Sequence, residues 1–188
     1  MPNLRDYRVA VLATDGFEEL ELTTPIEYLR AEGAQVEIAS PGGSKIRAFK
    51  HHDKSREIEA QRKLEEIKAS EFDAVVLPGG ALNADALRVI PQAQAFVQEM
   101  NQEGKPIAVI CHGPWLLVSA GLLKNRKITS WPTLADDIRN AGGIWEDREV
   151  IVDGNLVSSR KPGDLPAFCR EMIALFARSK RTRPIAAA

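Results

Sequence analysis

Short apolar runs recur along the chain, and longer segments with apolar residues at helical spacing separate them. The runs lie at residues 8–13, 35–39, 73–77 and 107–110. Runs of this length are typical of strands buried on both faces of a parallel sheet. The segments that predict helices lie at residues 18–32, 83–88, 91–103 and 115–120. Because strands alternate with helices, the pattern predicts an α/β fold in which helices cover both faces of a mostly parallel sheet.

Residues 40–56 interrupt this alternation. They contain Pro41-Gly42-Gly43 and then a basic, weakly periodic stretch, which predicts a loop with short edge strands at residues 46–49 and 57–60. A short helix is predicted at residues 64–69. Pro25 lies inside the first predicted helix, where its missing N–H predicts a kink or a restart.

The C-terminal third carries further elements. A short strand is predicted at 127–130, a helix at 133–141, and a hairpin that joins 149–153 to 156–159 through Asp153-Gly154-Asn155. A closing helix at 164–177 has Asp164 as its predicted N-cap, and the basic tail from about residue 178 is expected to fray. The chain shows neither an internal repeat nor a linker, so residues 1–188 are predicted to form a single domain.

Composition excludes several classes of protein. The chain has 188 residues, 44% hydrophobic and 27% charged, with a net charge of -1, so electrostatics give no simple case for nucleic acid or an anionic membrane as partner. No apolar run approaches the roughly 20 residues that span a bilayer. The N-terminus lacks a signal-peptide pattern, so we expect a cytoplasmic protein whose two cysteines, Cys111 and Cys169, are both reduced.

Cys111 is the strongest candidate for chemistry. It lies where an apolar strand turns into a helix, within the stretch PIAVICHGPWLLVSAG at residues 106–121. A side chain at such a turn is held out of the sheet, and the unpaired N–H groups of the helix favour negative charge there. We therefore expect a thiol that ionises readily, which is the reactive form. The alternative is a buried structural cysteine, because Cys is among the most buried residue types.

Two other strand ends would meet Cys111 if the first, third and fourth apolar runs are neighbours in the sheet. Gly79 and Gly80 leave backbone N–H groups unobstructed, and with the His112 amide they could form an oxyanion hole; the alternative is a simple tight turn. Glu18 and Glu21 share one face of the first helix, while Glu19 points elsewhere. We favour Glu21 over Glu18 as the carboxyl beside the thiol, against the alternative of a solvated acidic first turn.

His112 is the nearest possible base, but the residues alone leave its role open. Side chains of adjacent residues rarely face each other, and no acidic residue nearby in the sequence would orient the imidazole. His51 and His52 lie in the basic loop and are interpreted as solvated. No spacing of His and Cys suggests a zinc site, and no phosphate-binding motif occurs. We therefore expect neither a metal nor a cofactor.

Four segments together resemble the PfpI family of the ThiJ/PfpI superfamily, a group of intracellular peptidase-like and deglycase-like proteins. They are DGFEELEL at 15–22, FDAVVLPGG at 72–80, GKPIAVICHGPWLLVSAG at 104–121 and VSSRKPGDLPAF at 157–168. The resemblance covers nearly the whole chain in order. It implies a flavodoxin-like three-layer α/β sandwich related to class I glutamine amidotransferases, and it implies homo-oligomers, either dimers or hexamers.

The resemblance also implies roles for individual residues. Cys111 matches the family's nucleophile and His112 its partner, and Glu21 best matches the glutamate that hydrogen-bonds the cysteine. The acid that completes the triad comes from a neighbouring subunit, and Asp85 is the matching candidate. Two further residues complete the implied pocket: Gly113, directly after His112, and Trp131, where some members carry an aromatic residue.

Several activities accompany the resemblance. They are cleavage of small peptides, conversion of methylglyoxal to lactate, reversal of early glycation, and chaperone-like holding under stress. The chemistry common to the first three is a thiolate that attacks a polarised carbonyl while His112 moves protons. The sequence therefore predicts a stress-defence cysteine hydrolase that acts on aldehyde-derived or glycation-derived adducts or on small peptides. The alternatives are a redox sensor, in which Cys111 becomes a sulfinate stabilised by Glu21, and a holdase.

Overall fold

The apolar runs of the sequence form the centre of a seven-stranded sheet. The computed structural model describes residues 3–182. Its strands are β1 (Arg8–Leu12), β2 (Phe17–Glu18), β3 (Gln35–Ser40), β4 (Ser44–Lys50), β5 (Asp53–Ala60), β6 (Arg62–Lys63), β7 (Ala74–Leu77), β8 (Ile107–Ile110), β9 (Lys127–Ile128), β10 (Ile144–Trp145), β11 (Val150–Asp153) and β12 (Leu156–Ser159). Its helices are α1 (Glu19–Ala31), α2 (Ala81–Arg88), α3 (Pro91–Gln102), α4 (Pro114–Ser119), α5 (Ala135–Asn140) and α6 (Leu165–Thr182).

The order of strands in the main sheet is β11-β12-β8-β7-β1-β3-β6. All neighbours are parallel except β11, which pairs with β12 in the predicted hairpin. The strands β8, β7 and β1 lie side by side, as the predicted meeting of their carboxyl ends requires. Ligands of open α/β sheets bind beyond these ends, which places the candidate site there.

Alternate residues of each central strand face opposite layers, and this explains why the strands are apolar throughout. In β8, Ala108 and Ile110 belong to the core beneath α1 and α6, while Ile107 and Val109 belong to the core beneath α3, α4 and α5. All four side chains are at most 2% exposed. The predicted three-layer sandwich is therefore confirmed. No helix within residues 3–182 is both long and apolar enough to cross a membrane.

The segment after Ser40 is predicted to be a loop with short edge strands at 46–49 and 57–60; both strands are present, but they are longer than expected and leave little loop. The segment forms the hairpin of β4 and β5, which joins β2 in a separate three-stranded sheet. Ile46 pairs with Ile58, and the charged residues beside them pair across the strands, with Arg47 opposite Glu57. Ile46 and Ala48 are buried, but most other positions of the two strands are charged or polar, so the hydrophobic pattern of the segment is weak although its pairing is regular.

Three smaller expectations also differ from the structure. α1 continues through Pro25 without a break, and the short helix predicted at 64–69 is two separate 3-10 turns, Leu64–Glu66 and Ala69–Glu71. The carboxylate of Asp164 accepts hydrogen bonds from the Arg160 guanidinium at 2.8 and 3.2 Å, so it is engaged there instead of capping α6.

The predicted fraying of the tail is only partly addressed by the structure. α6 continues to Thr182, beyond the predicted helix end at residue 177. Residues 183–188, to which the rest of that expectation applies, lie outside the described residues.

Candidate active site

The turn after β7 brings the carboxyl ends of three neighbouring strands into contact. A Cβ on Gly79 would lie 2.5 Å from the Cβ of Cys111 and would also collide with Oε2 of Glu21. Gly80 has a φ of 90°, and a Cβ there would lie 2.8 Å from the backbone of Phe17. Glycine is therefore required at both positions, because the backbone of this turn fills the gap between the first helix and the cysteine.

Cys111 occupies a strained backbone position at the end of β8. Its φ is 61°, in the left-handed region that non-glycine residues rarely adopt. Two hydrogen bonds hold this conformation: the Cys111 N–H donates to the Ser159 carbonyl at 3.1 Å, and the Cys111 carbonyl accepts from the Trp131 N–H at 2.9 Å. The sharp turn into α4 thus presents the thiol above the sheet, as predicted, although its side chain is largely buried.

Gly113 allows the chain to turn so tightly after the cysteine. A Cβ on Gly113 would lie 2.7 Å from the Leu77 carbonyl oxygen. The predicted place of Gly113 at the site is thus a backbone role, because it brings the start of α4 against the end of β7.

The surroundings of the thiol do not make it readily ionised. Burial raises the pKa of the Cys111 thiol above its ordinary value, and the neighbouring Glu21 carboxyl raises it further. The backbone N–H groups of Gly80 and His112 act in the opposite direction. The expectation of a low thiol pKa is therefore wrong for this chain, because desolvation outweighs the N–H groups. The N–H groups of Gly80 and His112 face the sulfur, and their part in an oxyanion hole stays a prediction. The Gly79 N–H, which the prediction also included, donates instead to Oε2 of Glu21 at 3.0 Å.

Glu21 is the buried carboxyl beside the thiol. Its side chain is fully buried, and Oε2 accepts a hydrogen bond from the Gly79 N–H at 3.0 Å. Burial, and then the charge of Glu18, raise the pKa of Glu21 to about 8. Within residues 3–182, Oε1 is a buried side-chain oxygen without a hydrogen-bond partner, which is costly for a carboxylate. Glu21 is therefore neutral at pH 7, and its proton is available to the sulfur.

His112 faces the thiol despite being its neighbour in the sequence. Its Nδ1 lies 3.2 Å from the Cys111 Sγ. The left-handed backbone at Cys111 makes this possible, because it turns the two side chains to the same side. Burial lowers the pKa of His112, so the imidazole is neutral at pH 7 and able to accept a proton.

Two indole rings flank the imidazole. Trp131 stacks on His112 with ring centroids 6.0 Å apart and planes 24° apart, and Trp115 meets it edge-on at 5.4 Å and 63°. Trp131 is 36% exposed, so it forms part of the site's open wall. The structure thus brings Trp131 to the site as expected and adds Trp115, whose place at the site the sequence analysis did not recognise.

Glu18 lies close to the site but is engaged elsewhere. Its Oε2 accepts a hydrogen bond from the His51 backbone N–H at 2.9 Å, and among the described residues it makes no hydrogen bond to Cys111 or His112. It acts on the site through its charge, which contributes to the raised pKa of Glu21. Glu19 points away, as expected, and forms an ion pair with Arg56 at 3.2 Å.

Asp85 does not reach His112 within one protomer. It is exposed on α2, and in the described part of the chain its side chain has neither an ion pair nor a hydrogen bond. Likewise no carboxylate among residues 3–182 hydrogen-bonds the His112 ring. The orienting acid expected from a second subunit stays a prediction.

Asn83 is a positioning residue that the sequence analysis missed. It is fully buried on α2; its Nδ2 donates to the carbonyls of Pro78 and Gly79 at 3.1 and 3.0 Å, and its Oδ1 accepts from the Thr14 N–H at 2.8 Å. One amide therefore joins the turn after β7 to the end of β1. An amide side chain three residues after a Gly-Gly turn was the available signal.

The described part of the chain contains no cluster of side chains suited to a metal ion. No group of three or more His, Cys, Asp or Glu side chains between residues 3 and 182 is arranged to hold a metal ion. The chemistry available at the site is that of a thiol, a neutral imidazole, a neutral carboxyl and two backbone N–H donors.

Two curated proteins match the sequence of this chain over nearly their whole length. The chain is 46% identical over 168 residues to "Deglycase TK1284" of Thermococcus kodakarensis, covering 89% of this chain and 98% of that protein. It is 40% identical over 170 residues to "Protein/nucleic acid deglycase 2" of Escherichia coli, covering 89% and 96%.

A solved structure has a domain with a similar fold. It is a two-domain protein from Anabaena variabilis with DJ-1/ThiJ/PfpI-like and ferritin-like domains, matched with a TM-score of 0.83 and 34% identity. The match covers 89% of this chain and 47% of that protein, so the chain spans about half of its length. Residues 7–175 match the family model described as the DJ-1/PfpI family, and the chain belongs to this family.

Proposed function

We propose that this chain is a cysteine-dependent deglycase of stress defence that acts on methylglyoxal and on its early adducts with thiols and amines. The observation that carries the proposal is the 3.2 Å approach of the His112 Nδ1 to the Cys111 Sγ. The backbone N–H groups of Gly80 and His112 that face the sulfur support it. Two relatives at 46% and 40% identity are named deglycases.

The neutral imidazole activates the thiol at the moment of attack. As the Cys111 sulfur adds to the aldehyde carbon, the His112 Nδ1 takes the thiol proton. A raised thiol pKa is compatible with this step, because the proton leaves together with bond formation and no resting thiolate is needed. The product is a hemithioacetal whose oxygen lies within reach of the Gly80 and His112 N–H groups.

His112 then carries protons through the remaining steps. Moving a proton from the former aldehyde carbon to the adjacent carbonyl carbon converts the hemithioacetal into a thioester of lactate. Water hydrolyses the thioester, which releases lactate and restores the thiol, so the net reaction adds one water to methylglyoxal. On an adduct, the sulfur first displaces the bound thiol or amine, which leaves with a proton from His112.

Asp85 of a second subunit is proposed to orient His112. Its exposure on α2 and its lack of a partner among the described residues support this role. The proposal therefore includes a homo-oligomer, a dimer or a hexamer, in which each site is completed across an interface. A free thiol nucleophile also fits the reducing conditions of the cytoplasm.

Oxidation of Cys111 to a sulfinate ranks second. The neutral Glu21 carboxyl beside the sulfur favours it, because it could donate a hydrogen bond to an oxidised sulfur. The raised thiol pKa disfavours it, because peroxide reacts with the thiolate. The intact mass after mild peroxide distinguishes the two, and no added oxygen at Cys111 is expected.

The decisive experiment compares wild type, Cys111→Ala and Cys169→Ala on methylglyoxal, a glycated thiol and a fluorogenic peptide. Cys169 is the matched control, because it is the other buried free cysteine and lies in α6. We expect Cys111→Ala to lose lactate formation by at least about 10³-fold while its fold persists. Cys169→Ala should keep it. Lactate formation by Cys111→Ala at the wild-type rate would refute the proposal, and turnover of the peptide alone would make the protein a peptidase.

A further inference from the structure

The His112 imidazole has few contacts that fix its orientation. Within residues 3–182 its ring makes a single side-chain polar contact, the one between Nδ1 and the Cys111 Sγ. Its other neighbours are the rings of Trp131 and Trp115. A group that carries protons must be held within a fraction of an ångström of its partner. The two indoles therefore influence the fraction of time that the imidazole is aligned with the thiol.

Trp115 is the more firmly held of the two rings. Its Nε1 donates a hydrogen bond of 2.7 Å to Oδ2 of Asp137 on α5. On its face, the Arg88 guanidinium lies 5.3 Å from the ring centroid, and the Arg88 Nε donates to the Ser119 Oγ at 3.0 Å. A charged acceptor at the edge of the indole and a cation on its face fix both its tilt and its rotation.

We infer that Asp137 and Arg88 are positioning residues that act through Trp115 to keep the His112 imidazole in line with the Cys111 thiol. The inference rests on the proposed function in that it takes His112 to be the proton carrier. It extends the site to α5 and to the last turn of α2, which touch neither the thiol nor the oxyanion hole. It also gives α2 a role inside its own protomer, besides the one proposed for Asp85.

Asp136 provides a matched control on the same helix turn. It is the adjacent residue with the same side chain, yet it is exposed and pairs with Arg139 at 3.2 Å. Replacing Asp136 removes a surface charge of α5 without touching Trp115. Any general effect of altering α5 therefore appears in Asp136→Ala as well as in Asp137→Ala.

The first readout separates positioning from binding. Asp137→Ala frees the indole, so kcat for lactate formation should fall about tenfold while KM stays within about twofold of wild type, because misplacement of a catalytic group acts on the chemical step. Asp137→Asn keeps an oxygen that accepts from the Trp115 Nε1 and should recover most of the loss. Asp136→Ala should match wild type. Equal losses in Asp136→Ala and Asp137→Ala, or no recovery in Asp137→Asn, would overturn the inference.

The second readout is independent of turnover. An NMR titration of the ¹⁵N-labelled ring of His112 should show a lowered pKa in wild type. In Asp137→Ala that pKa should move towards about 6.5, the ordinary value, because a freed indole covers the imidazole less. An unchanged titration in Asp137→Ala would overturn the inference even if kcat fell. A shifted titration in a protein without turnover on methylglyoxal would uphold the inference and refute the proposed function.

Discussion

Glu21 and Cys111 share one small buried space on either side of Gly79, and each changes the protonation of the other. Burial of both groups disfavours their charged forms, so the pKa of the carboxyl is raised to about 8 and that of the thiol is raised as well. Sequence position alone suggested a reactive thiolate at a helix start. At the scale of the residue, desolvation raises the pKa of the Cys111 thiol by more than the backbone N–H groups lower it.

The first prediction concerns stability against pH. Because the native state raises the Glu21 pKa from 4.5 to about 8, its neutral form stabilises the fold fully below about pH 4.5, and this contribution is lost as pH rises through 8. Glu21→Gln is neutral throughout, so wild type should lose on the order of 4 kcal/mol relative to Glu21→Gln between pH 5 and 8.5, at about 1.4 kcal/mol per pKa unit.

Urea denaturation of both proteins at several pH values measures this difference. Glu27→Gln, an exposed carboxyl on the same helix, is the control and should follow wild type at every pH. A constant difference between wild type and Glu21→Gln over this range would mean that Glu21 is ionised in the native state, contrary to the prediction.

The second prediction concerns the turn glycine. Gly79→Ala forces a Cβ to within 2.5 Å of the Cys111 Cβ, so the turn must shift and carry the Gly80 N–H away from the sulfur. Loss of an oxyanion donor costs about 10²-fold or more in kcat. Gly163→Ala is the control, because its Cβ meets nothing within 4 Å. Lactate formation tests both variants, and Gly79→Ala with wild-type kcat would argue against the oxyanion role of this turn.

At the scale of the element, the site depends on how α2 is attached to the ends of β1 and β7. Asn83 hydrogen-bonds three backbone groups: the N–H of Thr14 and the carbonyls of Pro78 and Gly79. The Gly79 carbonyl also accepts a hydrogen bond from the Glu18 N–H at 3.3 Å. No apolar contact could replace these bonds, because the groups are polar and buried. The helix therefore positions the turn through its first buried amide.

The third prediction follows from this attachment. Asn83→Ala should destabilise the protein by about 2–4 kcal/mol, because the Thr14 N–H and the Pro78 carbonyl lose their Asn83 partner and the Gly79 carbonyl keeps only the Glu18 N–H. The kcat should fall as well. Asn83→Asp should do no better, since a carboxylate cannot donate to two carbonyls. The control is Gln92→Ala, an exposed amide on α3, which should change stability by no more than about 0.5 kcal/mol. Thermal unfolding measures the change in stability, and lactate assays measure the change in kcat. A stable and active Asn83→Ala would show that Asn83 does not position the turn.

At the scale of the whole molecule, no carboxylate among residues 3–182 of one protomer hydrogen-bonds the His112 ring, and Asp85 is exposed on α2. A site completed by a second copy requires the symmetry of the assembly to bring α2 of one chain to the thiol of another. A single protomer contains the proposed nucleophile Cys111, the proposed base His112 and the two proposed N–H donors. In the proposed assembly, Asp85 of a second copy adds to the orientation that the Trp115 ring gives the imidazole within its own protomer.

The fourth prediction tests this by complementation. Cys111→Ala should be inactive alone and Asp85→Asn weakly active. Mixed oligomers refolded together should recover up to about a quarter of wild-type activity, because half of the dimers then contain one complete site. A mixture of Cys111→Ala and His112→Ala is the control and should recover nothing, since both residues belong to the same chain's part of the site. Full activity of Asp85→Asn alone would contradict a shared site.

Much of the fold could be predicted because each apolar run in this chain is a buried strand of the main sheet. A strand such as β8 must be apolar throughout when both faces are buried, so pattern and position agree. The hairpin of β4 and β5 could not be predicted in the same way. Its pairing depends on partners such as Glu57 for Arg47, ten residues apart, which the cross-strand register brings together.

The amino-acid sequence by itself determined the sharp turn from β8 into α4. It shows a cysteine at the end of an apolar strand, a histidine beside it, and glycines where only glycine fits. It determined the parallel sheet for the same reason, since local pattern is enough to specify buried strands. Only the tertiary structure decided the protonation of the site, because burial of Glu21, Cys111 and His112 depends on elements far apart in the chain. The tertiary structure also decided the contact of Trp115 with His112, because Asp137 on α5 and Arg88 on α2 fix the Trp115 ring.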